Sequence, residues 1–448
     1  MSKLADFPYY RILVLGLAKS GTAAARALLQ HGKQVRINDK SAKPEDRLIK
    51  ELEDLGAEVF YGDHPLEALN NMELVVKNPG ISYDHPIVRE AISKNIPVIT
   101  EVELAYYLTE SPIIGITGSN GKTTTTTLIT KMIESSGIPV KVAGNIGIVA
   151  TDVALSIDED TTMVLELSSF QLQGTEKFRP NIAVLLNIYE AHLDYHKTFE
   201  NYTAAKCNIF KNQTEEDYVV FNADDPIIMN EISHAKGRLV PFSVKNMTED
   251  GAYISSGKIY FRGEEIIHVD DVVLVGNHNL ENILAAVAAA KLRGAENEAI
   301  RNVLATFSGV KHRLQYVETI EGRKFYNDSK ATNILATQKA LASFTQPVIL
   351  LAGGLDRGNE FTDLIPYLKN VKGMVLFGQT KGKLQQIAEQ VHIPYILAEN
   401  VEQAAEQAFH MSVEGDVILL SPACASWDQY RTFEERGDMF IQAVHRLM

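Results

Sequence analysis

Short apolar runs alternate with amphipathic stretches along almost the whole chain. Up to about residue 100, the runs RILVLG, KQVRIND, AEVFYG, ELVVKNPG and IPVIT are typical of buried β-strands. The stretches between them have the spacing of helices. This alternation predicts a small doubly wound sheet with helices on both faces.

A second α/β unit begins at SPIIGIT and continues through TTMVLEL, NIAVLLNI and YVVFNADD. Near Gly251 the rhythm changes, and GAYISSGKIYFRGEEIIHV predicts short antiparallel strands joined by glycine turns. The alanine-rich stretch NHNLENILAAVAAAKLRG predicts a helix that ends at Gly294.

A third α/β unit starts at about residue 310, with strands predicted at KFYNDS, PVILLAGG, GMVLFG and DVILLSPA. The prediction is therefore an α/β protein of three domains, at residues 1–100, 101–309 and 310–448. The first and third are Rossmann-like, and the central one has a parallel sheet with a small antiparallel appendage.

Composition narrows the functional class. The 448 residues carry a net charge of −14, which argues against nucleic-acid binding because that needs a basic face. The two cysteines, Cys207 and Cys424, provide no disulfide framework, as expected for a reducing cytoplasm. No apolar run is as long as a membrane span, so no membrane partner is expected.

The stretch GITGSNGKTTTTT, which follows the apolar run SPII, has the composition of a phosphate-binding loop. A loop without side chains lets backbone N–H groups point at one anion, and the following helix adds its positive end. Lys122 would reach the outer phosphates and Thr123 would hold Mg²⁺. The common loop has a further glycine where this chain has Ile116. A glycine turn without a ligand is the alternative, but the lysine and threonine favour a phosphate-loop ATPase domain.

The stretch GLAKSG, Gly16 to Gly21, follows the first strand and resembles a dinucleotide fingerprint with Ala18 at the middle glycine. Asp39 closes the second strand, near the position of an acid that binds a ribose. A tight turn without a ligand fits the same residues. If the turn is functional, a nucleotide diphosphate is sufficient as its ligand.

Further candidates lie at strand ends in the central domain. Glu166 ends a buried strand beside the phosphate loop, which favours Mg²⁺ binding over a capping or solvent-facing role. His192 follows the next strand, but its pattern favours a structural or surface histidine, and Mn²⁺ accepts histidine more readily than Mg²⁺ does. Lys206 has the pattern of an ordinary helix lysine. Cys424 is interpreted as a packed small residue.

In the third domain, FYNDSKATN places Asp328 and Lys330 where a strand gives way to a helix. The preceding GVKHRLQ holds His312 and Arg313. An arginine there can neutralise charge during phosphoryl transfer. Because these groups cluster in short polar turns, a functional role is the better interpretation.

Together these stretches resemble the muramyl (Mur) ligases along the whole chain. TGSNGKTT, GNIG, LELSSFQL, NHNLEN, HR and NDSKATN fall in the family's order. LELSSFQL, NDSKATN and SPACAS together look most like the member that adds D-glutamate to UDP-N-acetylmuramoyl-L-alanine. The family's loop has the form Gly-x-x-Gly-Lys-Thr, which accounts for the unusual spacing. A Mur-type or folate-type ligase for another amino acid is the alternative.

The resemblance implies a cytoplasmic, monomeric ligase of peptidoglycan synthesis that acts on small molecules through an acyl phosphate. It implies ATP contacts from Gly118, Ser119, Asn120, Gly121, Lys122, Thr123, Thr124, Asn279, Asn282, Arg313 and Asp328. It implies that the UDP precursor is bound by Ala18, Lys19, Ser20, Gly21, Asp39 and Asn145.

The resemblance also implies that D-glutamate is surrounded by Lys330, Thr332, Arg357, Ser426 and Phe433. Arg357 stands where some relatives carry lysine. Two metal ions, Mg²⁺ or Mn²⁺, would be held by Thr123, Glu166, His192 and a carbamylated Lys206. The catalytic residues implied are Lys122, His192, Lys206 and Arg313.

Overall fold

The computed structural model describes residues 3–274 and 276–448. Within these residues the strands form three sheets, one in each predicted domain, and the predicted three-domain α/β architecture is confirmed. The chain divides into two compact units: Met1–Val269 with Leu280–Val303, and Asp270–Asn279 with Leu304–Met448. Among the described helices, none has the length and apolar character needed to cross a membrane.

The first sheet is parallel throughout. Its strands are β1 (Arg11–Leu15), β2 (Gln34–Asp39), β3 (Glu58–Tyr61), β4 (Leu74–Lys77) and β5 (Val98–Ile99). The helices of this region are α1 (Lys19–Gln30), α2 (Arg47–Asp54), α3 (Pro86–Ser93) and α4 (Glu101–Leu108). In the strand order β3-β2-β1-β4-β5, the chain adds β2 and β3 on one side of β1 and then adds β4 and β5 on its other side. Ligands of open α/β sheets bind at the carboxyl ends of strands beside such a reversal.

The central sheet combines parallel and antiparallel strands. Its strands are β6 (Ile113–Thr117), β7 (Val140–Gly144), β8 (Thr162–Glu166), β9 (Ile182–Leu185), β10 (Tyr218–Asn222), β11 (Arg238–Ser243), β12 (Ala252–Ser255), β13 (Lys258–Phe261) and β14 (Glu264–His268). The order is β14-β13-β12-β11-β10-β9-β6-β8-β7. Pairing is parallel from β7 to β12 and antiparallel from β12 to β14, which confirms the predicted appendage.

Helices surround and follow this sheet in sequence. They are α5 (Lys122–Ser135), α6 (Ala150–Ser156), α7 (Ser169–Leu172), α8 (Leu193–His196), α9 (Phe199–Cys207), α10 (Pro226–Glu231), α11 (Asn277–Leu292) and α12 (Asn297–Thr306). One apolar cluster joins the first and central sheets and includes Leu28, Leu104 and Phe178. The Glu103 carboxylate also accepts hydrogen bonds from three successive backbone N–H groups, at 176–178. The apolar cluster therefore joins the two sheets, and the polar contacts fix α4 to the 176–178 segment.

The third sheet has helices on both faces. Its strands are β15 (Gln315–Ile320), β16 (Arg323–Asn327), β17 (Val348–Gly353), β18 (Val371–Phe377), β19 (Tyr395–Leu397) and β20 (Val417–Leu420). The helices that follow in sequence are α13 (Ile334–Leu341), α14 (Lys381–Gln390), α15 (Val401–Met411) and α16 (Phe433–His445). The order is β15-β16-β20-β17-β18-β19, with only the β15–β16 pair antiparallel among the described strands. Successive residues Leu350 and Leu351 enter different apolar clusters, as the two-residue period of a strand requires.

Candidate functional site

The phosphate loop lies between β6 and α5, as the sequence predicts. Gly121 is the N-cap of α5 with φ +85°, and a Cβ built there would lie 2.1 Å from Asn282 Oδ1. Both the positive φ and the close approach require glycine at this position. The first turn of α5 then presents Lys122, Thr123 and Thr124 directly after the loop.

The loop is fixed from the side by residues that follow β9. The Ser119 N–H donates to Asn187 O at 2.9 Å, and the Asn120 N–H donates to Asn187 Oδ1 at 2.9 Å. The Ser119 hydroxyl lies 2.8 Å from the Tyr202 hydroxyl. These bonds fix the backbone of the loop against Asn187 and Tyr202.

Two lysines converge on one oxygen of this loop. Lys122 Nζ donates to Gly118 O at 2.7 Å and to Ser119 O at 3.1 Å, and Lys206 Nζ donates to Gly118 O at 2.8 Å. Lys206 is 1 % exposed and lies 4.7 Å from the Tyr202 ring centroid. Burial, and then the charge of Lys122, hold the pKa of Lys206 well below its ordinary value. Lys206 is thus a buried amine beneath the loop, which its helix pattern did not indicate.

Glu166, at the end of β8, is a buried carboxylate of which one oxygen accepts a hydrogen bond. It is 2 % exposed, and Asn145 Nδ2 donates to its Oε1 at 3.2 Å. Its Oε2 is buried and has no hydrogen-bond partner within the described residues. A buried anionic oxygen without a donor is costly, so this position suits a cation.

Glu166 also organises the neighbouring GNIG turn. A Cβ on Gly144, where φ is +101°, would lie 2.2 Å from Glu166 O, and the Asn145 N–H donates to the same carbonyl at 2.8 Å. Side chains of His, Cys, Asp and Glu in residues 3–274 and 276–448 do not form a cluster of three or more suited to a metal ion. A cation beside Glu166 therefore needs ligands of other kinds.

His192 is exposed and adopts a left-handed conformation, φ 56° and ψ 36°, as the N-cap of α8. Its ring centroid lies 5.0 Å from that of Phe170. In the described part of the chain, no hydrogen bond or ion pair joins His192 to Glu166 or Lys206. The structure thus places His192 on the ligand side of the sheet without joining it to the other predicted metal ligands.

His196, which the sequence analysis missed, is a buried histidine close enough to His192 and Lys206 to be affected by their charges. It is 2 % exposed, and its Nε2 is 2.9 Å from Ser169 Oγ. Burial, and then the charges of His192 and Lys206, lower the pKa of His196 to about 4. His196 is therefore a neutral packing and hydrogen-bonding group at neutral pH.

The GLAKSG turn of the first sheet is built tightly. A Cβ on Gly21 would lie 1.9 Å from Gly16 O, so glycine is needed for the close approach of α1 to β1. The N-cap of α1, Ala18, forms no side-chain cap, which leaves the first-turn N–H groups to a ligand or solvent.

Asp39 closes this turn from β2. The Leu17 N–H donates to Asp39 Oδ2 at 2.6 Å, and the backbone and hydroxyl of Ser41 both donate to Oδ1 at 2.7 Å. Burial acts to raise the pKa of Asp39, but these hydrogen bonds outweigh it and the pKa is lowered. Asp39 is therefore an ionised carboxylate that shapes the turn.

A cavity of about 630 Å³ adjoins this turn. Its lining comes from α1 and the turn before it, from α2, and from the end of the GNIG turn through the start of α6: Leu17, Lys19, Thr22, Ala23, Arg26, Leu48, Gly147, Ile148, Val149 and Asp152. The cavity combines apolar walls with the cationic side chains of Lys19 and Arg26 and the acidic side chain of Asp152. Its volume lies in the range of small-molecule sites.

In the third domain, the predicted polar turns meet. The Leu314 N–H donates to Asp328 Oδ1 at 3.0 Å, and the Lys330 N–H donates to His312 O at 3.0 Å. Burial raises the pKa of Asp328 to about 7. The segment that carries Arg313 is therefore bonded to the turn that carries Asp328 and Lys330.

His312 anchors this junction. It is 2 % exposed with φ 64°, and its Nδ1 lies 3.0 Å from Asn327 Nδ2. A Cβ on Gly437 would lie 2.1 Å from His312 Nδ1, so the α16 backbone packs directly on the ring. His312 is a structural support for the arginine that follows it.

Arg436, in α16, is a second functional-region residue that the sequence analysis missed. Its guanidinium is fully buried and donates to Ser329 Oγ at 3.0 Å, Ser329 O at 2.8 Å and Cys424 O at 3.0 Å. Burial lowers the pKa of Arg436 to about 10. The arginine ties the NDSKATN and SPACAS turns together. Burial also raises the pKa of the Cys424 thiol, in keeping with a packed residue.

The residues predicted to receive the amino acid line these turns. Lys330 Nζ lies 5.1 Å from the Phe433 ring centroid, and the Thr332 N–H donates to Lys330 O at 2.9 Å. The buried Ser426 hydroxyl has no hydrogen-bond partner within the described residues. Arg357 lies over Trp427, with the guanidinium carbon 4.9 Å from the ring centroid.

The GGLDRG and SPACAS turns are joined by their backbones. The Leu355 N–H donates to Ala425 O at 2.9 Å, and a Cβ on Gly354 would lie 2.3 Å from the same oxygen. This contact brings Arg357 beside Trp427, which is 65 % exposed. The sequence places the two residues 70 positions apart and gives no sign of the pairing.

Family models match three segments of the chain: a Mur ligase MurD-like N-terminal domain at residues 10–100, a Mur ligase middle domain at 116–290, and a Mur ligase glutamate ligase domain at 312–424. The UDP-N-acetylmuramoylalanine–D-glutamate ligase of Oceanobacillus iheyensis is 60 % identical over 448 residues, which is 100 % of both chains. The ligase of the same name from Geobacillus kaustophilus is 61 % identical over 98 % of both chains.

Solved structures share the fold at lower identity. A UDP-N-acetylmuramoyl-L-alanyl-D-glutamate–2,6-diaminopimelate ligase aligns with a TM-score of 0.59 and 18 % identity over 98 % of this chain and 96 % of its own. The MurF ligase of Thermotoga maritima, solved with ADP, aligns with a TM-score of 0.57 and 17 % identity over 99 % of this chain and 97 % of its own.

Proposed function

This chain belongs to the Mur ligase family, and we propose that it is an ATP-dependent ligase joining D-glutamate to UDP-N-acetylmuramoyl-L-alanine in peptidoglycan synthesis. The observation that carries the proposal is the convergence of Lys122 and Lys206 on the phosphate loop. An amide ligase of this kind must bring together two anions, a carboxylate and a triphosphate. Lys122 supplies a cation at that meeting point, which lowers the barrier, whereas Lys206 beneath the loop would act as a metal ligand.

The proposed reaction has two steps. A carboxylate oxygen of the precursor attacks the γ-phosphorus of ATP, ADP leaves, and an acyl phosphate forms. The amine nitrogen of D-glutamate then attacks the acyl carbon and loses a proton, and inorganic phosphate leaves. Lys122 and Arg313 would stabilise the charge on the transferring phosphoryl group.

ATP would be held mainly by backbone groups. The N–H groups of the loop, Gly118–Gly121, and of the first turn of α5 point toward one anion in such loops. Asn282 touches the loop at Gly121, which supports its predicted place beside the nucleotide. Asn279, Arg313 and Asp328 are the remaining residues of the proposed set.

The UDP precursor would occupy the first domain and reach toward the loop. The uncapped start of α1, from Ala18 to Gly21, offers N–H groups to a pyrophosphate. Asp39 shapes that turn, and the adjoining cavity extends to the GNIG turn that holds Asn145. The proposed path thus runs from the first sheet to Glu166.

These substrates are small cytoplasmic molecules, so we propose a cytoplasmic enzyme and retain the prediction of a monomer.

A divalent metal ion fits the residues present. Glu166 Oε2 is an orphaned buried oxygen, and oxygen ligands suit Mg²⁺. We propose that Thr123, Glu166, His192 and Lys206 hold two Mg²⁺ or Mn²⁺ ions together with phosphate oxygens. A bound divalent ion neutralises charge on the phosphates. The Thr123 hydroxyl and the Glu166 carboxylate would hold the ion beside that end of the nucleotide.

Lys206 would contribute as a carbamate. Burial lowers the pKa of Lys206 and so favours the neutral amine, whose nitrogen can attack the carbon of CO₂ and lose a proton to give an anionic N–COO⁻ group. Lys206→Ala is expected to lose nearly all activity, and formate or acetate to restore part of it. Full activity in Lys206→Ala excludes an essential carbamate. A labelled carbamate signal in carbon-13 NMR with bicarbonate tests the modification directly.

D-glutamate would enter beside the SPACAS turn. Lys330, Thr332, Ser426 and Phe433 surround the proposed pocket, and Arg357 supplies a cation for the side-chain carboxylate. An arginine forms paired hydrogen bonds with a carboxylate, which a lysine at this position cannot.

Two measurements test the proposal. The first supplies UDP-N-acetylmuramoyl-L-alanine and ATP with a panel of D- and L-amino acids and records phosphate release. D-glutamate should be preferred, and turnover with a different amino acid alone would contradict the assignment. The second labels the precursor carboxylate with heavy oxygen. The label should appear in the released phosphate, and its absence refutes the acyl phosphate.

A further inference from the structure

The turn that follows β4 contacts the proposed UDP site on one side. Asn78 Nδ2 donates to Ser20 Oγ, in the GLAKSG turn, at 3.3 Å. Ile81 packs against Gly16, where an added Cβ would lie 3.0 Å from Ile81 Cδ1. A shift of this turn would therefore move the residues proposed to bind the pyrophosphate.

Lys77, the last residue of β4, fastens the same turn on its other side. Its side chain is 1 % exposed, and Nζ donates to Tyr195 Oη at 3.0 Å, to Ile81 O at 3.0 Å and to Pro79 O at 3.3 Å. An ammonium has three donors, and these three oxygens match them. Tyr83 adds a ring face 4.8 Å from Nζ.

Tyr195 continues the contact into the central domain. Its ring centroid lies 4.5 Å from that of Phe170 in an edge-on arrangement, and the Phe170 centroid is 5.0 Å from that of His192. Tyr195 also lies in α8, the helix that His192 caps. A continuous series of contacts therefore links the GLAKSG turn to the segment that carries His192.

Stability alone does not explain Lys77. Within the described residues no acidic side chain pairs with it, and burial lowers its pKa to about 7. A buried cation held only by neutral oxygens carries a desolvation cost that an apolar side chain of similar length avoids. The Tyr195 hydroxyl itself donates toward Ile81 O at 3.0 Å and Pro79 O at 3.1 Å. What the lysine adds over such a side chain is a bond to the Tyr195 oxygen, which directs the hydroxyl proton toward these carbonyls of the turn.

We propose that Lys77 is a positioning residue that, through the Tyr195 hydroxyl, fixes the UDP-binding turn relative to the His192 segment. The inference rests on the ligase function proposed above. The precursor spans both places, with its nucleotide at the first turn and its carboxylate near the phosphate loop. Without the link, each end still binds, but the carboxylate is misplaced for attack on ATP.

The test separates binding from alignment. Lys77→Met removes the ammonium and keeps the length, and Tyr195→Phe removes only the hydroxyl. Lys50→Met, at an exposed position of α2, is the matched control. The measurements are kcat with the full precursor, and the dissociation constants of UDP alone and ADP alone. Both site variants should lower kcat by roughly 10- to 100-fold, the cost of a small misplacement at a reaction centre.

UDP and ADP affinities should change less than about twofold, since an effect of that size is under 0.5 kcal/mol. The double variant should be no worse than the worse single variant, because both changes break one link. Wild-type kcat in Tyr195→Phe overturns the proposal, and this variant decides the matter even if Lys77→Met fails to fold. Parallel loss of UDP or ADP affinity also overturns it, since that indicates structural collapse. An inactive wild type, in contrast, refutes the ligase function itself and with it this inference.

Discussion

Replacing Gly121 by alanine tests the geometry of the phosphate loop with a single methyl group. The φ of +85° at Gly121 is unfavourable for alanine, and the new Cβ would lie 2.1 Å from Asn282 Oδ1. That distance is far inside a van der Waals separation of about 3.5 Å. Gly137, just beyond the other end of α5, has φ +72° and nothing within 4 Å of an added Cβ. Gly137→Ala is therefore a control with the backbone strain but without the clash.

The left-handed conformation costs alanine about 1–2 kcal/mol at either position. At Gly121 the Asn282 side chain must also turn away. It then leaves a well-populated rotamer, at about 0.5–1.5 kcal/mol. It also gives up its 3.4 Å bond from Thr125 Oγ1, worth about 0.5–1 kcal/mol. The excess over Gly137→Ala is about 1–2.5 kcal/mol, or roughly 5- to 70-fold in an equilibrium constant.

This excess should appear as weaker ATP binding, because the strained loop must be restored before the nucleotide fits. Calorimetric titration of ATP into both variants measures it, and melting curves confirm that both are folded. Gly121→Ala should bind ATP roughly 5- to 70-fold more weakly than wild type, and Gly137→Ala within about twofold. Equal ATP affinities in the two folded variants would refute the steric argument.

Three further outcomes follow from individual side chains. Lys122→Ala should lower kcat by about 10²–10³-fold. Lys131→Ala, at an exposed position of the same helix, is the control and should leave kcat unchanged. Near-normal turnover in Lys122→Ala contradicts the proposed role of Lys122. Arg357→Ala should raise the KM for D-glutamate more than that for ATP, and an unchanged KM for D-glutamate assigns the side-chain carboxylate to another partner. The pKa of Lys77 is about 7 in the folded protein and about 10.4 in the unfolded chain. Between these two pH values the unfolded chain binds more protons, so the free energy of unfolding should rise with pH. Lys77→Met should therefore show a smaller rise in melting temperature from about pH 7 to 10 than wild type, and an equal rise in both proteins refutes the low pKa of Lys77.

The sequence predicted the buried parallel strands and missed weaker ones. β1, β6 and β17 are runs of consecutive apolar residues, which buried parallel strands require. β19 has only three residues, and β7 lies at the edge of its sheet, so neither buries enough apolar surface for a clear pattern. β11 contains Pro241, which argues against an inner strand, yet it pairs with β10 and β12.

The candidate site was predictable where backbone geometry dictates residue type. Gly121 and Lys122 are recognisable because the loop admits few alternatives at these two positions, although the spacing before them differs from that of the common loop. Burial of a charged side chain depends on distant parts of the fold. Lys206 meets Gly118 O across 88 positions, and Arg436 meets Ser329 across 107. Local periodicity carries no trace of such contacts, so these roles became visible only in three dimensions.

The stacking of Arg357 on Trp427 gives this protein a built-in optical reporter. The chain contains one tryptophan, so fluorescence excited beyond the tyrosine band arises only from residue 427. The indole is 65 % exposed and has a guanidinium over its face, and both conditions influence the colour and yield of emission. Any event that moves the Arg357 guanidinium away from the indole ring should change the tryptophan emission, so no dye or label is needed. The turn proposed to receive the amino acid can therefore be followed in real time in the unmodified enzyme.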